Sequence, residues 1–313
     1  MITAIAGGVG AARLLRGLVR VVEPSDLRVL VNTGDDTTFH GLHVSPDIDT
    51  VVYTTAGAID PTRGWGLAGE SWTTMEALGR YATHGAVTWF NLGDRDLATH
   101  LWRTGRLREG ASLTEVTAEL AEAWGLGFRL LPMTDDPVAT IVETANGELA
   151  FQEYFVRLQH SVPITGVRFD GIDTATAGPE VLSSLETAHA ILICPSNPVV
   201  SIGPVLAVHG VRAVLERRRD RVVAVSPIVA GSALKGPADR MLTELGHEAS
   251  VVGVARLYAP FCSVLVIDEA DADRVAEIEA CGVRAVVTDT IMRTPEVAAA
   301  LSVTALASLA ALA

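Results

Sequence analysis

Five residues, Ile2–Ala6, form an apolar run that ends in Gly7-Gly8-Val9-Gly10. Beyond it Leu14, Leu15, Leu18, Val21 and Val22 recur at helical spacing. A strand that breaks on glycines and feeds an amphipathic helix is the opening of a βα unit. The alternation continues along the chain: Leu27–Val31, 87–90, 190–194, Val222–Val225, Val264–Ile267 and 285–287 read as strands. Helical patterns cover 50–58, 71–82, 96–107, 205–215 and 270–281, a capping box at Ser112-Leu113-Thr114-Glu115 opens another helix, and one more starts at Pro237. Strands separated by helices require a mainly parallel sheet covered on both faces.

Residues 128–172 depart from that rhythm. Segments 128–133, 139–143, 149–156 and 162–169 read as short strands, with Asn146-Gly147 as a hairpin turn. The expected fold is therefore α/β: a Rossmann-like core of 1–127 and 173–313 with helices on both sides, interrupted by a smaller β-rich insertion at 128–172.

Composition narrows the function classes. At 49% apolar and 19% charged residues the chain can bury a large core, and its net charge of −13 disfavours a nucleic-acid partner. Cys194, Cys262 and Cys281 fall on apolar or helical stretches and read as free thiols in a reducing cytoplasm. Neither a signal segment nor a membrane-length apolar stretch is visible, and the Ala-rich tail, 297–313, reads as a terminal helix packed on the core or on a subunit partner. A soluble cytoplasmic protein is expected.

Three acidic loops carry the chemistry: Asn32-Thr33-Gly34-Asp35-Asp36, Ser45-Pro46-Asp47-Ile48-Asp49-Thr50 and Leu92-Gly93-Asp94-Arg95-Asp96. Loops that leave the carboxyl ends of parallel strands converge on one rim, where ligands bind. Carboxylates gathered there repel one another unless a divalent cation shares the space. Each loop also has an ordinary explanation. Asp35-Asp36 could be an Asx turn, Asp47 and Asp49 an N-cap and first-turn charge for a helix near Thr50, and Asp94–Asp96 a local bridge with a cap. Were Asp47 and Asp49 instead in extended chain, both would point to one face. His100, four residues beyond Asp96, reads more readily as structural than catalytic.

The glycine turn Gly7, Gly8 and Gly10 can offer backbone N–H groups to a phosphate, although it is neither a complete dinucleotide fingerprint nor a Walker sequence. Ser196-Asn197-Pro198 and Ser226-Pro227 follow buried strands and suit recognition of a nucleotide. Lys235 is the only lysine among 24 Lys and Arg residues and lies in a Gly/Pro loop.

Nine strings in order resemble the 2-phospho-L-lactate transferase family of coenzyme F-420 biosynthesis, and more closely its actinobacterial phosphoenolpyruvate transferase branch. They are AGGVGAARLLRGL, VNTGDD, HGLHVSPDIDTVVYT, GWGLAGE, WFNLGDRDLATHL, LPMTDDPV, FQEYFVR, PSNPVVSIGP and SPIVAGSALKGPADRM. The resemblance implies a Mg²⁺-dependent transfer of a phosphoenolpyruvyl or 2-phospho-L-lactyl group from its guanosine diphosphate adduct. The acceptor is the terminal ribityl hydroxyl of the deazaflavin FO, and GMP is released. It also implies roles: Asp49 orients or deprotonates that hydroxyl and contacts FO, with Asn91, Asp94 and Arg95 beside it. Asn91 stands where other members carry a lysine or an acid. Asp35, Asp36 and Asp47 are the metal candidates. Gly7, Gly8, Gly10, Asn32, Ser196, Asn197, Ser226 and Lys235 would hold the guanosine diphosphate portion. A homodimer is the family expectation. The competing reading is a regulatory protein of the gluconeogenesis-factor type that binds a UDP-sugar.

Overall fold

The structure, a computed structural model, describes residues 1–310. Seven strands form one sheet: β1 Ile2–Ala6, β2 Leu27–Val31, β3 Arg129–Pro132, β4 Ala190–Ile193, β5 Val222–Val225, β6 Val264–Ile267 and β7 Arg284–Val287. All pair in parallel, in the spatial order β3-β2-β1-β4-β5-β6-β7. The order reverses between β1 and β4, the position at which doubly wound sheets bind ligands.

The central strands read as near-continuous apolar runs because both of their faces are covered. Side chains alternate between two cores. Ile5, Leu30, Ile191, Ile193, Ala224 and Leu265 enter one, beneath the helices Val181–Thr187, Val211–Arg217 and Val251–Tyr258. Ala4, Ala6, Val29, Val31, Leu192, Val223 and Val264 enter the other, beneath Gly8–Leu18, Pro46–Thr55 and Pro295–Ala310. The terminal helix packs on Gly8–Leu18 so closely that a Cβ on Gly17 would fall 2.2 Å from the Ala298 carbonyl carbon. Its apolar face is thus used within the chain. Cys194 and Cys262 are buried free thiols and Cys281 is half-buried. Among the described residues no single helix is long and apolar enough to cross a membrane.

Three expectations change. Residues 87–90 are not a strand: Trp89 and Phe90 pack on Phe39, with ring centroids 5.3 and 4.3 Å away, against the hairpin Thr37–Phe39/Leu42–Val44. Arg129–Pro132 belongs to the main sheet as its edge, paired with β2, so the insertion begins after it. The stretch 149–156 is strand only to Ala150 and then turns into a π-helical segment, Glu153–Arg157. The insertion proper is a three-stranded antiparallel sheet of Ala139–Thr144, Gly147–Ala150 and Ile164–Asp170. It is fastened to the first acidic loop: Thr140 N–H donates to the Gly34 carbonyl at 2.7 Å, and Gln152 Nε2 to the Asp35 carbonyl at 3.2 Å.

Candidate active site at the sheet's switch point

The glycine turn is tighter than a loop. The helix starts at Gly8, with Gly7 as N-cap, so Gly8 and Gly10 lie in its first turn. Glycine is needed at 7 and 10 by contact and at 8 by conformation. A Cβ at Gly10 would stand 2.2 Å from the Pro195 carbonyl oxygen, one at Gly7 2.7 Å from Ser201 Cβ, and Gly8 has φ +73°. Gly7 N–H donates to Ser196 Oγ (3.2 Å) and Gly8 N–H to Asp47 Oδ1 (2.8 Å). Two N–H groups expected for phosphate are therefore engaged internally. Those of Val9 and Gly10 remain first-turn donors without intrahelical acceptors.

The second acidic loop proves to be helical. Pro46–Thr55 begins before Asp47, so Asp47 and Asp49 both occupy its first turn. Residues two positions apart in a helix are separated by about 200° of rotation. The pair is thereby split between two environments instead of sharing one face.

Asp47 turns toward the switch point, where Asn32 Nδ2 donates to its Oδ2 at 2.9 Å. Asp36 Oδ2 accepts from Ser45 Oγ at 2.7 Å and meets His43 Nε2 at 3.0 Å. Asp35 and Asp36 each retain a buried Oδ1 with no partner among the described residues. Burial raises the carboxyl of Asp47 to about 6. It also pushes Asp35 well up, reinforced by the charges of Asp47 and Asp36, and Asp36 is raised by burial. Two of these three buried acids keep idle oxygens, although their ligand atoms do not converge as closely as those of Asp49, Asp96 and His100.

Asp49 points the other way, to Arg103 on the helix Asp96–Arg108. Arg103 is fully buried and engages both carboxylate oxygens, Nη1 at 3.2 Å from Oδ2 and Nη2 on Oδ1. His100, 1% exposed, lies between Asp49 (3.7 Å) and Asp96 (3.3 Å), and Tyr53 OH donates to Asp96 Oδ1 at 2.6 Å. Asp49, Asp96 and His100 lie close enough together to ligate a metal. The Arg103 guanidinium already supplies a cation there, so the cluster forms an ion-pair network within the fold. Sequence reasoning missed Arg103. Its signal was periodicity: Asp96, His100 and Arg103 are spaced four and three apart on one helical face.

The third loop is scaffolding. Asp94 accepts from Ser71 Oγ (2.6 Å) and from the N–H groups of Thr73 and Thr74 at the start of helix Thr73–Leu78, which holds its carboxyl well below the usual range. Arg95 donates through Nη1 to the Ala68 carbonyl (2.6 Å) and through its N–H to Glu70 (2.8 Å). Asn91 is exposed. Asn197 caps Pro198–Ile202 by accepting from Val199 and Val200 N–H, and Ser226 Oγ closes its own loop on Ile228. Ser226 Oγ is thus used within its own loop, whereas Asn197 Nδ2 meets only Met241 Sδ, at 3.4 Å. Lys235 has come to the glycine turn across the top of the site: a Cβ on Gly64 would lie 3.0 Å from its Nζ and 3.8 Å from Val9 Cγ1. Burial and the nearby Arg13 charge lower its pKa. Neither cation has a carboxylate partner among the described residues.

The profile of the family described as 2-phospho-L-lactate transferase CofD matches residues 2–304. The chain belongs to this family. A phosphoenolpyruvate transferase of Kitasatospora aureofaciens is 44% identical over 312 residues, 98% of this chain and 97% of that one. A 2-phospho-L-lactate transferase of Methanosarcina mazei is 39% identical over 290 residues, covering 93% and 94%. Among solved structures, a member of the UPF0052 family from Bacillus halodurans has the same fold, with a TM-score of 0.63, 15% identity, and 97% and 98% of the two chains covered.

Proposed function

We propose that this transferase moves a phosphoenolpyruvyl or 2-phospho-L-lactyl group from a guanosine diphosphate adduct to the terminal hydroxyl of FO, in coenzyme F-420 biosynthesis. The observation that carries the reading is the idle buried oxygens of Asp35 and Asp36, placed with Asp47 beside the glycine turn. Asp35, Asp36 and Asp47 would hold Mg²⁺, which supplies charge neutralisation on phosphate oxygens when bound. Arg13, Lys235 and the first-turn N–H groups of Val9 and Gly10 would take the donor's remaining phosphate charge. The acceptor oxygen bonds to the phosphorus that bears the lactyl or enolpyruvyl group. The bond from that phosphorus to the GMP oxygen breaks, GMP leaves with the electron pair, and the hydroxyl proton is lost to solvent or leaving group. Such a transfer needs positioning and charge more than a strong base. That suits Asp49, whose oxygens Arg103 already engages: we assign it to orienting the acceptor and not to removing its proton. A homodimer is part of the same proposal.

The test is incubation with FO, Mg²⁺ and each donor in turn, with product mass as the readout. The two products differ by two hydrogens, so the mass identifies the donor. Absence of product with both donors, or tight binding of UDP-N-acetylglucosamine in place of FO, refutes the assignment.

A further inference from the structure

The string GWGLAGE has no role in the chemistry so far, yet it builds an unusual display. Gly64 and Gly66 both adopt left-handed backbone, φ +75° and +65°, on either side of Trp65. The reversal turns a large apolar side chain outward, and Trp65 is 40% exposed. The base of the loop is fixed: Ile59 bridges Leu67, and Leu67 is buried in the core. Arg63 is centred 5.4 Å from the Trp65 ring and 5.1 Å from that of Trp72, and is itself held by Asp60 (3.0 Å) and the Leu67 carbonyl (3.0 Å). The indole is thus backed by a fixed cation, flanked edge-on by Trp72 at a centroid distance of 6.0 Å, and exposed over the remainder.

The display stands over the site. Gly64 adjoins Lys235 and Val9, and Arg95 ties the Ala68 carbonyl to the Asp94–Asp96 loop. Asp94 anchors the segment's far end at Ser71, Thr73 and Thr74. This explains a third acidic loop whose side chains are spent on neighbouring backbone. It straps an aromatic surface in place.

We propose that Trp65 is the stacking platform for the planar tricyclic ring of the deazaflavin acceptor, with Arg63 and Trp72 as its support. The proposal rests on the acceptor reading above. A planar fused tricycle offers much flat surface, which the exposed part of an indole matches. The cationic groups at the glycine turn are left to the guanosine phosphates.

The test is a titration of FO fluorescence in the presence of Mg²⁺ and GDP, with GDP affinity and melting temperature measured in parallel. Wild type, Trp65→Ala, Trp65→Phe and Trp102→Ala are compared; Trp102 is an exposed indole on helix Asp96–Arg108 that bonds Glu119. Loss of one stacking face weakens binding by roughly tenfold or more. The expected result is such a loss of FO affinity in Trp65→Ala, partial retention in Trp65→Phe, and neither change in Trp102→Ala. GDP affinity should stay at the wild-type level throughout. Unchanged FO affinity in Trp65→Ala overturns the platform while leaving the acceptor reading intact, as does a loss of GDP affinity in its place. Should Trp65→Ala not fold, unchanged affinity in Trp65→Phe overturns it equally. Failure of the wild-type protein to bind FO refutes the acceptor reading and this proposal with it.

Discussion

Arg103→Met tests the division of the acidic residues directly. Arg103 is fully buried, grips both oxygens of Asp49, and lies 3.4 Å from the His43 carbonyl oxygen and 3.3 Å from His100 Nδ1. Burial pulls its pKa down, but the charge and hydrogen bonds of Asp49 together with the Asp36 and Tyr53 charges outweigh that, and the net shift is upward. Methionine fills much of the same volume without charge, so the change isolates electrostatics from packing. It leaves Asp49, 6% exposed, as an uncompensated buried carboxylate. Breaking a buried pair in this way costs about 3–5 kcal/mol.

For a domain of this size each kcal/mol lowers the melting temperature by about 2 °C, so calorimetry should register a fall of about 6–10 °C. Arg103→Met combined with Asp49→Leu removes both charges and should recover most of the loss, since replacing a whole buried pair is often close to neutral. A double-mutant cycle from urea unfolding then yields a coupling of at least ~2 kcal/mol. A fall below about 2 °C in the single variant, or an additive cycle, would show that Asp49 is not held by this pair. Its assignment as a clamped, orienting residue would then fail.

Three further outcomes concern the acids beside the glycine turn and the terminal helix. Asp36→Asn should raise the Mg²⁺ concentration needed for half-maximal transfer by tenfold or more by a titration from EDTA-treated enzyme, an estimate set by the loss of one charged ligand of order ~1.4 kcal/mol. In the wild-type enzyme the same requirement should climb as pH falls through about 6, because Asp47 must then lose a proton to bind the cation; a flat profile from pH 7.5 to 5 would count against Asp47 as a ligand. Gly17→Ala forces a Cβ into the Ala298–Ala299 backbone, 2.2–2.3 Å away. It should cost about 1–3 kcal/mol in urea unfolding, and wild-type stability would mean that the terminal helix does not pack as described.

The buried framework was legible because its signals are local. Leu27–Val31, Val222–Val225 and Val264–Ile267 are strands over the residues read from the sequence, and Ser112 and Glu115 complete both arms of the capping box. Apolar runs lose that clarity when they are short. Residues 87–90 and Arg129–Pro132 are both short and only partly apolar, yet one packs aromatic rings on a hairpin and the other becomes an edge strand. Periodicity over four residues cannot separate these cases. The helix expected at 205–215 is broken at Gly210, φ +88°, into Gly203–Ala207 and Val211–Arg217.

The site was legible as a collection of residues and illegible as an arrangement, and the reason is a single boundary. With Asp47 and Asp49 ahead of a helix starting near Thr50, both carboxylates could face one cation. With the helix starting at Pro46, rotation sends Asp47 to Asn32 and the glycine turn, and Asp49 to a buried arginine 54 residues away. A four-residue shift in a helix start, which sequence patterns define poorly, decides which carboxylate is available to a cation and which is neutralised by the protein. The same logic separates the three acidic loops. A carboxylate engaged by backbone N–H groups, such as Asp94, or by a guanidinium, such as Asp49, has its charge met within the fold. Asp35 and Asp36 differ in that each keeps a buried oxygen with no hydrogen-bond partner in the described chain, which is why the proposed cation is placed there.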